Sequence, residues 1–112
     1  MTNPQKAKGS AYERLIRNYL NEAGFSVDHT RAGWKDDRGD LHGIHGVTFE
    51  CKNQQRMALG TWMGELLSEC ANAGTTLGVV VHKKRGTTDP GEQYATLPLR
   101  MLVQLLKEAG YK

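Results

Sequence analysis

The chain has 112 residues, 38% of them hydrophobic and 24% charged, and its 15 basic against 12 acidic residues give a net charge of +3. This length predicts one domain and excludes two full ones. Because it has only two cysteines and no apolar run approaching ~18 residues, we expect no disulfide framework and no membrane span, and a cytoplasmic location in a phage or a microbe. The mild basicity is compatible with a nucleic-acid partner, but the acidic residues then need an explanation, since carboxylates repel phosphate.

The first half of the chain predicts an arm, a helix and a β-hairpin. Residues 1–9 are polar and aperiodic, so we expect a flexible basic arm ahead of a single domain at 10–112. Apolar residues from Tyr12 to Ala23 recur at helical spacing, which predicts a helix over roughly 10–23 that begins at Ser10 and is stopped by Gly24. Short strands separated by a polar loop and a tight turn at His45-Gly46 are then expected at 25–30, 40–44 and 47–52.

The second half predicts a helix at 61–74 and then a buried strand. Leu77–His82 is a continuous apolar run, typical of a central strand covered on both faces. A last strand is expected from Tyr94 to Leu97, and Pro98 suits the start of a closing helix that ends near Ala109. The order predicts an α/β fold with one mixed sheet flanked by helices.

Glu50 and Lys52 lie two residues apart on a predicted strand, so their side chains project from the same face. The hairpin is expected to bring Asp40 close to them. Paired carboxylates with a backbone carbonyl suit Mg²⁺, and a nearby ammonium can orient a water or stabilise charge on a phosphate. The alternative is a solvated strand face with a surface ion pair and an ordinary Gly-Asp turn.

Several short motifs between residues 8 and 52 form a pattern when they are taken together. The motifs are Lys8-Gly9-Ser10-Ala11-Tyr12-Glu13-Arg14, Gly24-Phe25, Arg31, Gly39-Asp40-Leu41 and Glu50-Cys51-Lys52. Together they resemble the PD-(D/E)XK nucleases, specifically the archaeal-type Holliday junction resolvases. The resemblance implies a restriction-endonuclease-like αβββαβ core, here with an extra C-terminal helix, and Mg²⁺-dependent cleavage of DNA, with Mn²⁺ able to substitute. Gly39 departs from the pattern, because the family has proline before the aspartate.

The resemblance also implies a role for each matching residue. Its catalytic set is Glu13, Asp40, Glu50 and Lys52. Asp40, Glu50 and the backbone carbonyl of Cys51 would bind the metal, and Lys52 would be the active lysine. Glu13 would support the site through a water or a second ion, although Ser10-x-x-Glu13 is also a capping box, in which the glutamate bonds to the helix N-terminus instead.

Basic, amide and aromatic residues supply the candidate DNA contacts. Arg14 and Arg31 occupy positions where such resolvases have basic residues. Trp34 lies among cations and either stacks on a base or packs as a lid over the first helix. Gln54 is either a site residue or only part of a loop. Residues 83–85 either contact phosphates or form a solvated strand end. The full set is Lys8, Arg14, Arg31, Trp34, Lys35, Arg38, Gln54, Lys83, Lys84 and Arg85.

Other chemistries have weaker support in the sequence. The histidines and cysteines lack zinc spacing, Cys51 and Cys70 read as small core residues, and no loop has the composition needed for a nucleotide cofactor. We therefore expect a Holliday junction resolvase of DNA recombination, acting as a homodimer through helix two and the closing helix because a symmetric junction needs two cuts. The alternatives are a nicking, repair or restriction-type nuclease on linear duplex DNA and a non-catalytic DNA-binding protein of the same fold.

Overall fold

Three helices and five strands make up the chain in a computed structural model that describes residues 3–30 and 38–112. The helices are α1 (Pro4–Glu22), α2 (Leu59–Ala73) and α3 (Leu99–Glu108). The strands are β1 (Asp28–His29), β2 (Leu41–His42), β3 (Val47–Lys52), β4 (Leu77–His82) and β5 (Tyr94–Thr96). A single 3₁₀ turn at Pro90–Glu92 precedes β5.

The strands form one mixed sheet in the order β1-β2-β3-β4-β5. β3 and β4 run parallel because α2 crosses over between them, and the other neighbouring pairs are antiparallel. The expected α/β class, with an αβββαβ order and an extra C-terminal helix, is therefore confirmed.

Helices cover both faces of the sheet, and adjacent residues of β4 point into the two resulting cores. Val80 packs with residues of α2 and α3, including Leu66 and Met101. Val81 packs on the opposite face, with α1 residues such as Tyr12. The continuous apolar run of β4 is thus explained by burial on both sides.

The N-terminal helix begins earlier than the sequence indicated. α1 starts at Pro4 rather than Ser10, with Asn3 as its cap and proline in the first turn, where its missing N–H costs nothing. The expected flexible arm is therefore wrong for residues 4–9, whose exposure leaves no apolar periodicity to detect. Ser10 lies inside the helix, so the capping-box alternative for Glu13 is wrong too.

β1, β2 and β5 are shorter than predicted, whereas β3 and β4 match to the residue. Gly43 lies so close to the preceding segment that an added Cβ would be 2.0 Å from the carbonyl oxygen of Ser26, and its φ is +124°. This close approach ends β2 after two residues. Within the described ranges, none of the helices has the length and apolar character needed to cross a bilayer.

Candidate active site

A cavity of about 700 Å³ lies between the start of α1, the end of β3 and the first turns of α2. All four residues of the predicted catalytic set line it: Glu13, Asp40, Glu50 and Lys52. The segment that follows β3, residues 53–56, forms part of the rim. The fold thus brings together residues that are up to 39 positions apart in the chain.

Main-chain pairing within the hairpin places Asp40 beside β3. The Asp40 N–H donates to the carbonyl oxygen of Phe49 at 2.8 Å, and the Asp40 carboxylate accepts a hydrogen bond from the N–H of Cys51 at 2.7 Å. Cys51 points toward the α1 core, while Glu50 projects from the other face of β3 and is only 5% exposed. Asp40 is therefore held at the strand edge, within reach of the buried Glu50 carboxyl.

Among the residues that the structure describes, five carboxyl groups meet in this region, and we call Glu13, Asp40, Glu50, Glu65 and Glu69 the carboxylate cluster. Asp40 is close enough to Glu13 and to Glu50 to raise the pKa of each, and Glu69 likewise raises the pKa of Glu50. Carboxylate oxygens of Glu50, Glu65 and Glu69 lie within 4.8 Å of one another. The cluster is therefore continuous from α1 across the sheet to α2.

The electrostatics of the cluster favour uptake of protons or cations. Burial, then hydrogen bonding and repulsion from Asp40 and Glu69, raises the pKa of Glu50 far above its usual range. Burial, followed by the charge of Asp40, raises the pKa of Glu13 to about 7. Carboxyls this close cannot all ionise without a compensating positive charge.

Lys52 supplies one positive charge, but Glu65 already engages it. The Lys52 ammonium donates a hydrogen bond to the Glu65 carboxylate at 2.7 Å. Burial opposes the charged form of Lys52, yet the hydrogen bond and the neighbouring carboxylates outweigh it and raise the lysine pKa. Lys52 is therefore a fixed ammonium at the mouth of the cluster.

Glu65 and Glu69 were missed by the sequence interpretation, because a helix face with two glutamates reads as a solvated surface. Glu69 nevertheless lies within the apolar stripe that includes Leu66 and Cys70, and it is 1% exposed. A carboxylate at a core position of a helix was the signal that could have identified it.

Cys51 and His29 complete the surroundings. Burial raises the pKa of the Cys51 thiol, so this cysteine is a poor nucleophile. On β1, the His29 Nδ1 atom lies 3.3 Å from a carboxylate oxygen of Glu13. Glu13 therefore contacts an imidazole on one side and the Asp40 carboxyl on the other.

The candidate DNA contacts fall into three groups. Lys8 and Gln54 line the cavity, and so does Arg56, which the sequence interpretation did not include. Residues 83–85 line a second cavity next to it, while Arg14 and Arg38 are exposed outside both cavities. Three members of the predicted set lie outside the described residues: Arg31, Trp34 and Lys35.

No family model matches this chain, and no curated protein matches it. The chemistry of the cavity is therefore what indicates a function. Its clustered ligands are carboxylate oxygens, which hard divalent cations such as Mg²⁺ prefer over softer metals. The residues present fit such an ion.

Proposed function

We propose that this protein is a Mg²⁺-dependent endodeoxyribonuclease that hydrolyses phosphodiester bonds, with the four-way DNA junction as its substrate. One observation carries the proposal: Asp40 and Glu50 line the same open cavity, where Asp40 raises the pKa of Glu50, and the Lys52 ammonium lies on the same strand face as Glu50. The cluster repels a DNA phosphate unless a cation lies between them. A metal ion would therefore create the affinity that the carboxylates alone oppose.

The ion would be held by Asp40, Glu50 and the backbone carbonyl of Cys51, and Mn²⁺ would substitute for Mg²⁺. When bound, the ion would polarise the phosphodiester and lower the pKa of a coordinated water. In such a hydrolysis, a water oxygen would form the new bond to phosphorus in line with the ester P–O bond that breaks, and one water proton would end on the leaving oxygen. Lys52 orients this water or neutralises the charge that develops on the phosphate.

Two further carboxylates support this arrangement. Glu13 contacts Asp40 and His29, and so can hold a water or a second ion at the α1 side of the site. Glu65 positions the Lys52 ammonium through their 2.7 Å hydrogen bond. Removal of either carboxylate is therefore expected to disturb the geometry of the site rather than the fold.

Cations around the cavity would contact the DNA backbone on either side of the scissile phosphate. Lys8 and Arg56 lie on the rim, and the run 83–85 extends the positive surface beyond Gln54. Such contacts provide sequence-independent affinity that falls as salt concentration rises. Arg14, Arg31, Trp34, Lys35 and Arg38 are proposed contacts on the strength of the sequence alone.

The partner that completes the enzyme is a second copy of the chain. α3 buries Met101 in the core but leaves five apolar side chains largely exposed: Leu99, Leu102, Val103, Leu105 and Leu106. A two-fold dimer through this helix and α2 would present two sites to a symmetric junction.

Light scattering tests the dimer. It should give twice the chain mass for the wild type and the monomer mass for Leu102→Glu. A wild-type protein that stays monomeric with junction bound would contradict the dimer.

Cleavage assays test the function directly. Purified protein is incubated with Mg²⁺ and either a labelled four-way junction or a linear duplex of the same sequence, alongside Asp40→Ala, Lys52→Ala and the exposed control Glu22→Gln. Paired symmetric nicks in the junction alone support a resolvase, and equal cutting of both substrates points to a nuclease of linear duplex DNA. Absence of metal-dependent cleavage would leave the non-catalytic DNA-binding alternative, and full activity in both alanine variants would refute the mechanism.

A further inference from the structure

A second cavity, of about 330 Å³, adjoins the carboxylate site and shares Gln54 and Gln55 with it. Its aromatic lining consists of Trp62, His82 and Tyr94, with the His82 ring centroid 5.4 Å from each of the other two. The cationic run 83–85 also lines this cavity, and no carboxylate occurs among its described lining residues. We call it the aromatic pocket.

The sheet register connects the aromatic pocket with the carboxylate site. Lys52 on β3 pairs with His82 on β4, and His82 pairs with Tyr94 on β5. Residues paired across a sheet project from the same face, so these three side chains form one row. Two strand spacings of ~4.8 Å separate Lys52 from Tyr94 by about 10 Å.

Tyr94 is the accessible ring of the aromatic pocket. Its side chain is 47% exposed, whereas Trp62 and His82 are buried behind it. A hydrogen bond of 2.8 Å between His82 Nε2 and the Thr96 hydroxyl fixes the imidazole. Tyr94 is thus a supported aromatic platform facing the pocket rather than an isolated surface residue.

Two of the cations beside this platform, Lys84 and Arg85, are available to an anion, whereas Lys83 donates a hydrogen bond to the carbonyl oxygen of Thr87. Arg85 reaches the carbonyl oxygen of Gln54 at 3.5 Å, which places its guanidinium between the two cavities. Lys84 pairs with Glu92 at 3.5 Å, but the two side chains are 39% and 59% exposed, and such a solvent-accessible pair is readily exchanged for a phosphate. Positive charge next to an exposed ring is the combination by which proteins hold single-stranded nucleic acid.

We propose that the aromatic pocket binds one unpaired nucleotide of the DNA strand that enters the carboxylate site, with Tyr94 stacked on its base and the run 83–85 contacting its phosphate. The proposal rests on the proposed function and specifies its substrate. A base in continuous duplex is stacked on both sides, so the platform selects a branch point, a gap or a frayed end. Because one strand of duplex DNA advances ~3.4 Å per nucleotide along the helix axis, about 10 Å puts this nucleotide within about three positions of the scissile phosphate.

Binding measurements separate this proposal from the nuclease assignment. Fluorescence anisotropy with Ca²⁺ in place of Mg²⁺ compares a fully paired duplex with the same duplex carrying three unpaired nucleotides. Tyr94→Leu is expected to weaken binding of the second probe about tenfold and of the first less than twofold. Tyr94→Phe, which keeps the ring, and Tyr111→Leu, which removes an exposed aromatic residue elsewhere, should leave both affinities unchanged.

Crosslinking provides a readout that does not depend on a folded Tyr94 variant. Wild-type protein is irradiated with a probe that carries 5-iodouracil at the unpaired position, and the adduct should map to the tryptic peptide 86–100. Equal effects of Tyr94→Leu on both probes, or an adduct confined to another peptide, would overturn the proposal. Loss of cleavage in Asp40→Ala tests the nuclease assignment separately, since that variant retains the aromatic pocket.

Discussion

Replacement of Glu13 with glutamine is expected to stabilise the metal-free protein above about pH 5. The pKa of Glu13 rises from 4.5 to about 7 on folding, mainly because the carboxyl is buried. Between these values the folded protein keeps a proton that the unfolded chain has lost, so wild-type stability falls as pH rises through this window. Each pKa unit corresponds to about 1.4 kcal/mol, so ionised Glu13 costs the folded state up to about 3 kcal/mol at pH 8.

Thermal denaturation in a chelating buffer measures this effect. Glu13→Gln should melt about 10 °C above the wild type at pH 8, since 1 kcal/mol shifts the melting temperature of a domain this size by roughly 4 °C. The two proteins should melt together at pH 4, and Mg²⁺ should reduce the difference at pH 8 by stabilising the ionised wild-type site. Glu22→Gln, which alters an exposed carboxylate of the same helix, serves as the matched control. A difference between Glu13→Gln and wild type that does not change with pH would refute the reasoning.

Three further predictions concern the metal, the lysine and the core. Mg²⁺ binding should release protons and become tighter from pH 6 to pH 8, because the crowded carboxyls must ionise to bind the ion. Calorimetry in two buffers of different ionisation enthalpy measures the protons released, and a result of none would contradict this prediction. Glu65→Gln should lower kcat about tenfold and move the alkaline limb of the pH profile to lower pH, because the amide still accepts a hydrogen bond from Lys52 but lacks the negative charge that helps raise the lysine pKa. An unchanged profile would contradict the pairing. Gly78→Ala should lower the free energy of unfolding by about 1–3 kcal/mol in urea titrations, because the added Cβ would lie 2.5 Å from Cys70 Sγ. The control Gly64→Ala has open space around the added Cβ and should be neutral or stabilising.

The central elements of the fold could be predicted because their sequence patterns are strong. β4 is a continuous apolar run that ends at charged residues, and β3 lies between a glycine turn and polar residues. The early start of α1 gave no such signal, because its first turns are exposed on nearly every side. Asn3-Pro4 was the available clue, since both residues favour the first turn of a helix.

Part of the candidate site could be predicted because it depends on strand and hairpin geometry, which is local in the sequence. Strand alternation places Glu50 and Lys52 on one face, and the hairpin brings Asp40 to them, so these positions follow from local geometry. Glu65 reaches the cluster only because α2 packs across β3, which is a tertiary contact. The order of β4 and β5 in the sheet likewise determines that Tyr94 stands beside His82, and no local pattern encodes that order.

The most direct test of the nuclease assignment is single-turnover cleavage of a labelled four-way junction by wild type and Glu50→Gln as Mg²⁺ is raised. The wild type should cleave only with the divalent ion present. The variant should lose at least about a hundredfold in rate at every Mg²⁺ concentration, because Glu50 is central to the carboxylate cluster. Equal rates for the two proteins, or wild-type cleavage that persists in a chelator, would contradict the assignment of this cavity as a metal-dependent nuclease site.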